Sequence, residues 1–597
     1  MKGLSNQITK YHGENPFGDY QARNFSDAKV CSEFYPISTF WSLFNEQHEI
    51  ILGARGSGKT FLLKMMRYSM LKNISDIRAQ QVIQDKRFLS LYVPMHLEFI
   101  SSYTSNLLSE QQQIDLFQTA FNCLLAQSLV VEVRSMLEEI SEEEKRVTTT
   151  IQMAKKINDI WFPNENMSSY DLVELAYKID KVFYSIDEKT GNIESVPIVF
   201  KKQMCTPLLA VKSIIESYFQ YKDPTWIICV DEAEFLNKVQ LKCINNVFRS
   251  DSNRIALKVA TLPYYHSTNE TLKKGTTVVE GNDFNYRIVD MEYDSEDFKQ
   301  VTNKICYERL NNTLSKLNPT SALEDFLGVE GNGDLVDYFK ASVKKNLTVE
   351  EIESEILNDF SETKRKGSEK YPNRRKTIYD KYAPIFFLRT VYKISQKGNS
   401  NPGWYAGAKM ARRVSQGNPR VFINLMNELF EKAKGSRLST KAQHDVIYKY
   451  SEGICRSTKA LEEKGPVIYR SLNYIAEKLH EKTHGENLVT SSSSFVFKFD
   501  SEEEFEQHKD WIELAIAHSR LFVASEEKRS FISSDTKYCL ANVFSVAYWL
   551  PMRKDSPITI KYSTIPKDNS YVVTIPKKNK QEIREDQLSI FGDENFD

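Results

Sequence analysis

Residues 53–60 read Gly-Ala-Arg-Gly-Ser-Gly-Lys-Thr and follow the apolar run Ile50-Ile51-Leu52. Glycines at 53, 56 and 58 let a backbone turn tightly and aim its N–H groups inward at phosphate oxygens. Arg55 and Ser57 complete this candidate cradle, Lys59 is the residue to reach the β- and γ-phosphates, and the Thr60 hydroxyl is a magnesium ligand. The helix expected from Lys59 adds the dipole of its N-terminus to the anion site. A second apolar run, Trp226–Val230, ends in Asp231-Glu232. A carboxylate at that strand end can hold magnesium through water, and the next one can orient or deprotonate an attacking water. The chemistry implied is binding of Mg-ATP and its hydrolysis, with Asp231 on the metal and Glu232 as base.

Two further positions fit the same site, each with a plainer alternative. Thr261 closes the apolar strand that starts at Ile255; its hydroxyl could touch the γ-phosphate or the water, or only cap the strand. Arg420 sits where Gly417-Asn418-Pro419 opens a helix, a place the helix dipole reserves for anions. An arginine there suggests a phosphate partner, or it is a surface residue at a loop-to-helix junction.

These elements need a large scaffold. At 597 residues and 69.2 kDa the chain should hold roughly three or four domains. No stretch approaches ~18 consecutive apolar residues, and the first twenty residues lack the apolar core of a secretory signal, so a cytoplasmic protein with no membrane partner is expected. The eight cysteines are scattered, without metal-ligand spacing, and read as reduced buried thiols. A net charge of −1 and a pI near 6.8 exclude a chain that coats nucleic acid broadly; DNA contact must come from a local patch. The histidines form no pattern with carboxylates or cysteines, so no nuclease, protease or deaminase constellation is present.

The order of these motifs resembles the AAA+ ATPases, and within them the origin-recognition and replication-initiator ATPases. The resemblance makes Gly53–Thr60 the Walker A motif, Asp231-Glu232 Walker B, Thr261 sensor 1 and Arg420 sensor 2 on a helical lid. Asn15-Pro16-Phe17 resembles the segment that lies against the base in bacterial members, which makes Phe17 a base contact. The fold implied is α/β: a P-loop core with a parallel sheet, helical insertions and a helical lid, then an α+β winged-helix-like domain. The expected boundaries are 1–47 for the N-terminal segment, 48–291 for the core with an insertion at about 100–205, 292–380 for a second insertion, 381–440 for the lid, 441–575 for the C-terminal domain and 576–597 for an acidic tail. A trans arginine finger is not obvious; Arg287 and Arg309 lie in roughly the right part of the chain, and Arg249 and Arg254 come before sensor 1. Leu108-Ser109-Glu110-Gln111-Gln112 is similar to the signature of ABC-type ATPases but lacks its glycines.

In the C-terminal domain, strands are expected at 520–524, 558–562 and 571–575. A winged helix puts a helix in the major groove and a hairpin on the backbone, or serves protein contacts instead. Its DNA-contact candidates are Arg520, Lys528, Arg529, Arg553 and Lys554. The basic run Lys364–Lys376 reads as a phosphate-contacting loop or as a solvated insertion tip. In the tail, Gln587-Leu588-Ser589-Ile590-Phe591 resembles the bacterial sliding-clamp motif, with Gln587 in a polar pocket and Leu588, Ile590 and Phe591 in an apolar one.

Three functions are compatible with this set. One is an ATP-driven switch or motor on double-stranded DNA, working as a homo-oligomer and tethered to the clamp. Another is a sensor that resembles bacterial antiphage ATPases and signals to a separate effector protein. The third, a non-catalytic scaffold, sits poorly with an intact Glu232.

Overall fold

The structure is a computed structural model and describes residues 15–576 apart from 20–24, 97–107, 170, 187–192, 251–253, 312, 315–316, 329–353, 355–382, 397–402, 435–436, 486–495, 525–531, 553–556 and 567–570. The basic run at 364–376, Lys528, Arg529, Arg553, Lys554 and the tail pentad 587–591 lie outside the described residues.

Five parallel strands form the central sheet: β1 Glu49–Leu52, β2 Phe88–Pro94, β3 Thr225–Asp231, β4 Ile255–Thr261 and β5 Asn285–Ile288, in the order β2-β3-β4-β1-β5. Every residue of β1, β3 and β4 is buried, as strands covered on both faces must be, which is why they read as apolar runs. Register brings Leu52 opposite Thr261 and Pro94 opposite Asp231. The phosphate loop, Thr261 and Asp231 therefore all leave the sheet at its carboxyl edge, the edge at which parallel sheets bind ligands.

Helix α1, Lys59–Met65, follows the loop directly. Between β2 and β3 stand α2 Glu110–Leu137, α3 Glu143–Trp161, α4 Leu172–Tyr184 and α5 Thr206–Phe219; the first three fall inside the segment of about 100–205 read as an insertion, and α5 lies beyond it. Ser109 and Gln112 form a capping box at the start of α2, so the Leu108–Gln112 segment is a helix N-terminus. Helix α2 is apolar nearly all round. With 28 residues and a mean hydropathy of 1.4 it is the one described helix long and apolar enough to cross a membrane; 67% of its apolar window is buried inside this protein. Helix α6, Lys238–Phe248, joins β3 to β4.

Seven described helices after β5 lead through the lid into the C-terminal region: α7 Glu296–Leu310, α8 Ala322–Leu327, α9 Ala383–Gln396, α10 Ala408–Ser415, α11 Pro419–Ala433, α12 Thr440–Ser457 and α13 Gly465–His484. The sequence assigns 292–380 to an insertion, but α7 and α8 pack into the lid. Arg412 of α10 donates to Thr302 Oγ1 at 2.8 Å and pairs with Glu324 at 2.6 Å, with both ends largely buried. The described lid thus starts at α7. A second sheet follows, with β6 Val496–Phe499, α14 Glu502–Ala517, β7 Leu521–Val523, β8 Tyr538–Leu540, α15 Asn542–Ala547 and β9 Ile558–Ile560, in the order β7-β8-β6-β9. Only β6 and β9 are parallel. Segment 571–575 is not a strand: Thr574 donates its backbone N–H to Glu477 Oε1 at 2.9 Å, and the Tyr571 hydroxyl bonds the same carboxylate, so the segment lies along α13.

Lid and C-terminal domain share one continuous apolar core, running from Phe298 and Phe422 through Tyr448 and Leu472 to Phe544 and Trp549. Position 440 is therefore not a break in packing.

Candidate nucleotide site

The phosphate loop is held in shape from below and above. Gly56 and Gly58 adopt φ of 87° and 98°, open to glycine at no steric cost. Ala54 N–H donates to Asp290 Oδ1 at 3.0 Å, from the end of β5. Lys59 is buried; its ammonium donates to Gly53 O at 2.7 Å and Ala54 O at 3.4 Å. Burial pulls its pKa down, and the charges of Glu234, Asp290 and Asp231 oppose that.

Asp231 is 1% exposed at the end of β3. Its Oδ2 accepts the Tyr92 hydroxyl at 2.8 Å, and its Oδ1 accepts the N–H of Glu232 at 3.0 Å. Burial raises its pKa, while the neighbouring Tyr92 and Thr60 hydroxyls lower it. Thr60 and Asp231, the two magnesium candidates, therefore stand close together. A hydroxyl beside a buried carboxylate, both oxygen donors, suits a hard divalent cation. Glu232 turns the chain with a φ of 59°, and its Oε2 stands 3.4 Å from His96 Nδ1.

Thr261 Oγ1 and Ser57 Oγ are buried at this edge and make no hydrogen bond among the described residues. Native interiors rarely leave a hydroxyl unspent, so these two are poised for a further partner. Glu234 Oε2 is a third such atom.

The lid reaches the loop through the start of α11. Arg420 N–H faces Gly56 O at 3.3 Å, and Asn418 Nδ2 donates to Arg55 O at 2.8 Å. A Cβ at Gly56 would stand 2.4 Å from Arg420 Cβ, so only glycine permits this approach. Loop, both Walker B acids, Thr261 and Arg420 thus converge, although they come from four separate parts of the chain.

That convergence on a β2-β3-β4-β1-β5 sheet accords with the comparison of sequences. The family model described as ORC-CDC6-like matches residues 15–560. The chain belongs to the ORC-CDC6-like family. No curated protein matches it. Membership makes the fold that of the AAA+ ATPases, and the parallel sheet with its many helices agrees.

Several residues weighed from the sequence are engaged inside this ORC-CDC6-like chain. The Phe17 ring is fully buried between Phe430 and the Arg309 guanidinium, and presents no face to a base. The finger candidates are all engaged within the chain. Arg287 Nε donates to the buried Glu49 at 3.1 Å, Arg309 pairs with Glu33 at 2.8 Å, Arg249 with Asp283 at 2.8 Å and Arg254 with Asp223 at 2.5 Å. Arg520 is also spent, on Thr458 Oγ1 at 3.2 Å and His518 O at 3.1 Å, and is partly buried rather than open to DNA.

Tyr92, His96, Glu234 and Asp290 belong to the site without having stood out in the sequence. The largely apolar segment 88–93 could mark β2, but only its pairing with β3 brings Tyr92 to Asp231 and His96 to Glu232.

Proposed function

We propose that this chain binds Mg-ATP at Gly53–Thr60 and hydrolyses it, as a DNA-associated AAA+ switch or motor. The observation that carries the reading is the seating of the Arg420 helix on Gly56 above the Thr60–Asp231 pair. That arrangement supports a role for Arg420 as a cation brought from the lid to the phosphate loop.

The roles follow from position. The loop amides from Gly56 onward and Lys59 bind and orient the phosphates. Thr60 and Asp231 would hold magnesium, which when bound neutralises charge on the triphosphate. Glu232 takes the proton of the attacking water, with Thr261 Oγ1 available to hold that water or the γ-phosphate. Arg420 stabilises the negative charge that grows on the transferred group.

The C-terminal domain is the proposed DNA-binding part, the tail pentad 587–591 a proposed clamp tether, and the cytoplasm the proposed compartment. Glu232→Gln tests the centre of this reading. It should keep ATP affinity and lose turnover; ordinary turnover would remove Glu232 as the base. Stimulation of turnover by duplex DNA tests the rest.

One observation favours the second reading, a sensor that signals to a separate effector. Val173, Tyr177 and Tyr184 are 63%, 68% and 84% exposed on one face of α4, in the insertion. Solvent-facing aromatics on an insertion suit recognition of a protein. Turnover indifferent to DNA but raised by a protein ligand would select this reading.

A further inference from the structure

The turn that ends α14 lies directly on the phosphate loop. Arg55 N–H donates to Ala517 O at 2.9 Å. Asn418 Nδ2, besides its bond to Arg55 O, donates to Ser519 Oγ at 3.0 Å. The same side chain's Oδ1 accepts the N–H groups of Arg420 and Val421 at 3.0 and 3.2 Å, capping α11. Asn418 and Ser519 are both buried. One carboxamide therefore joins the loop, the helix that bears Arg420 and the C-terminal domain. At the rim, Glu462 takes His518 Nε2 at 3.0 Å and approaches the Arg55 guanidinium at 3.9 Å.

Two more features mark the turn as built rather than incidental. Ser519 holds a φ of 56°, a conformation that costs a residue with a Cβ and persists where its surroundings fix it. The lid and the C-terminal domain also share a core, so the turn and the Arg420 helix belong to one packed body.

We infer that the turn Ala517–Ser519 is a positioning element of the nucleotide site, setting the first half of the phosphate loop and the cap of the Arg420 helix together. It rests on the reading of Gly53–Thr60 as an ATP site. The Arg55 amide is spent on this turn, so Arg55 serves the loop as the docking point of the C-terminal domain. Linkage makes the effect reciprocal. Whatever lifts the C-terminal domain from Arg55 changes nucleotide affinity, and nucleotide changes the affinity for whatever lifts it by the same factor.

The test uses the full chain, Mg-mant-ATP as the probe, and Ser519→Gly. Glycine removes the hydroxyl and tolerates the positive φ, so the fold is kept. The variant should bind the probe about five-fold more weakly, as loss of one buried hydrogen bond would give, while still unfolding in one cooperative transition. In the wild type, Mg-ATP should slow hydrogen exchange at 517–520. Wild-type affinity in Ser519→Gly, or exchange at 517–520 that ignores Mg-ATP, overturns the inference. If that happens while Lys59→Ala still abolishes binding, the ATP site stands and only the role of the turn falls. Absence of mant-ATP binding by the wild type removes both.

Discussion

His96 Nδ1 stands 3.4 Å from Glu232 Oε2, just beyond the register that pairs Pro94 with Asp231. A carboxylate shared with an imidazole is less available to take a proton from water. His96→Ala should therefore raise basal ATP turnover by about three-fold, the worth of one modest hydrogen bond, and leave nucleotide affinity unchanged. Phosphate release measured alongside mant-ATP binding checks both. A fall in turnover would mean that His96 orients Glu232 instead of holding it back.

Gly417 begins the approach of the lid helix with a φ of 77°, and a Cβ there would lie 1.7 Å from Met291 O. Backbone cannot yield as a side chain does. Gly417→Ala should destabilise the fold by upward of about 2 kcal/mol, read as a lower urea midpoint. It should also weaken ATP binding, since Asn418 and Arg420 are displaced with it.

These contacts mark the limit of what spacing alone can tell. The loop, Asp231 and Thr261 were legible because each ends an apolar run, and parallel strands buried on both faces must be apolar runs. Arg420 was legible because an arginine at a helix start opposes the dipole and asks for an anion. His96 and Tyr92 were not, because their place beside Asp231 depends on β2 pairing with β3 across the whole helical insertion. The partners of the arginines were out of reach for the same reason. Glu49 and Glu33, which hold Arg287 and Arg309, lie far away in sequence. The C-terminal strand expected at 571–575 has strand-like composition, but the Glu477 carboxylate offers its backbone another partner.

Arg309 and Glu33 are 3% and 4% exposed and joined by two hydrogen bonds, at 2.9 and 2.8 Å. Arg309 also donates to Asp19 O at 2.7 Å and lies over the rings of Phe17 and Phe25. Removing one side of such a pair strands the other charge. Arg309→Ala and Glu33→Ala should each cost about 3–5 kcal/mol in chemical denaturation, with a double variant well short of the sum. A trans finger would behave differently: Arg309→Ala would keep its stability and lose turnover only in the oligomer.

His48 links pH to the far edge of the sheet. Its Nδ1 accepts the Leu257 N–H at 3.0 Å, which requires the neutral ring. Burial and the nearby Lys258 lower its pKa from 6.5 to about 4. Between those values the unfolded chain binds the extra proton and the folded chain does not, so stability rises with pH across that window. The contribution is complete above pH 6.5 and is lost as pH falls toward 4, up to about 3 kcal/mol by linkage. His48→Gln keeps an acceptor without a titrating group, so it isolates this effect from every other ionisation. The stability difference between wild type and variant should move against the wild type as pH drops from 7 to 4. Parallel urea midpoints across that range would show instead that His48 titrates alike in both states.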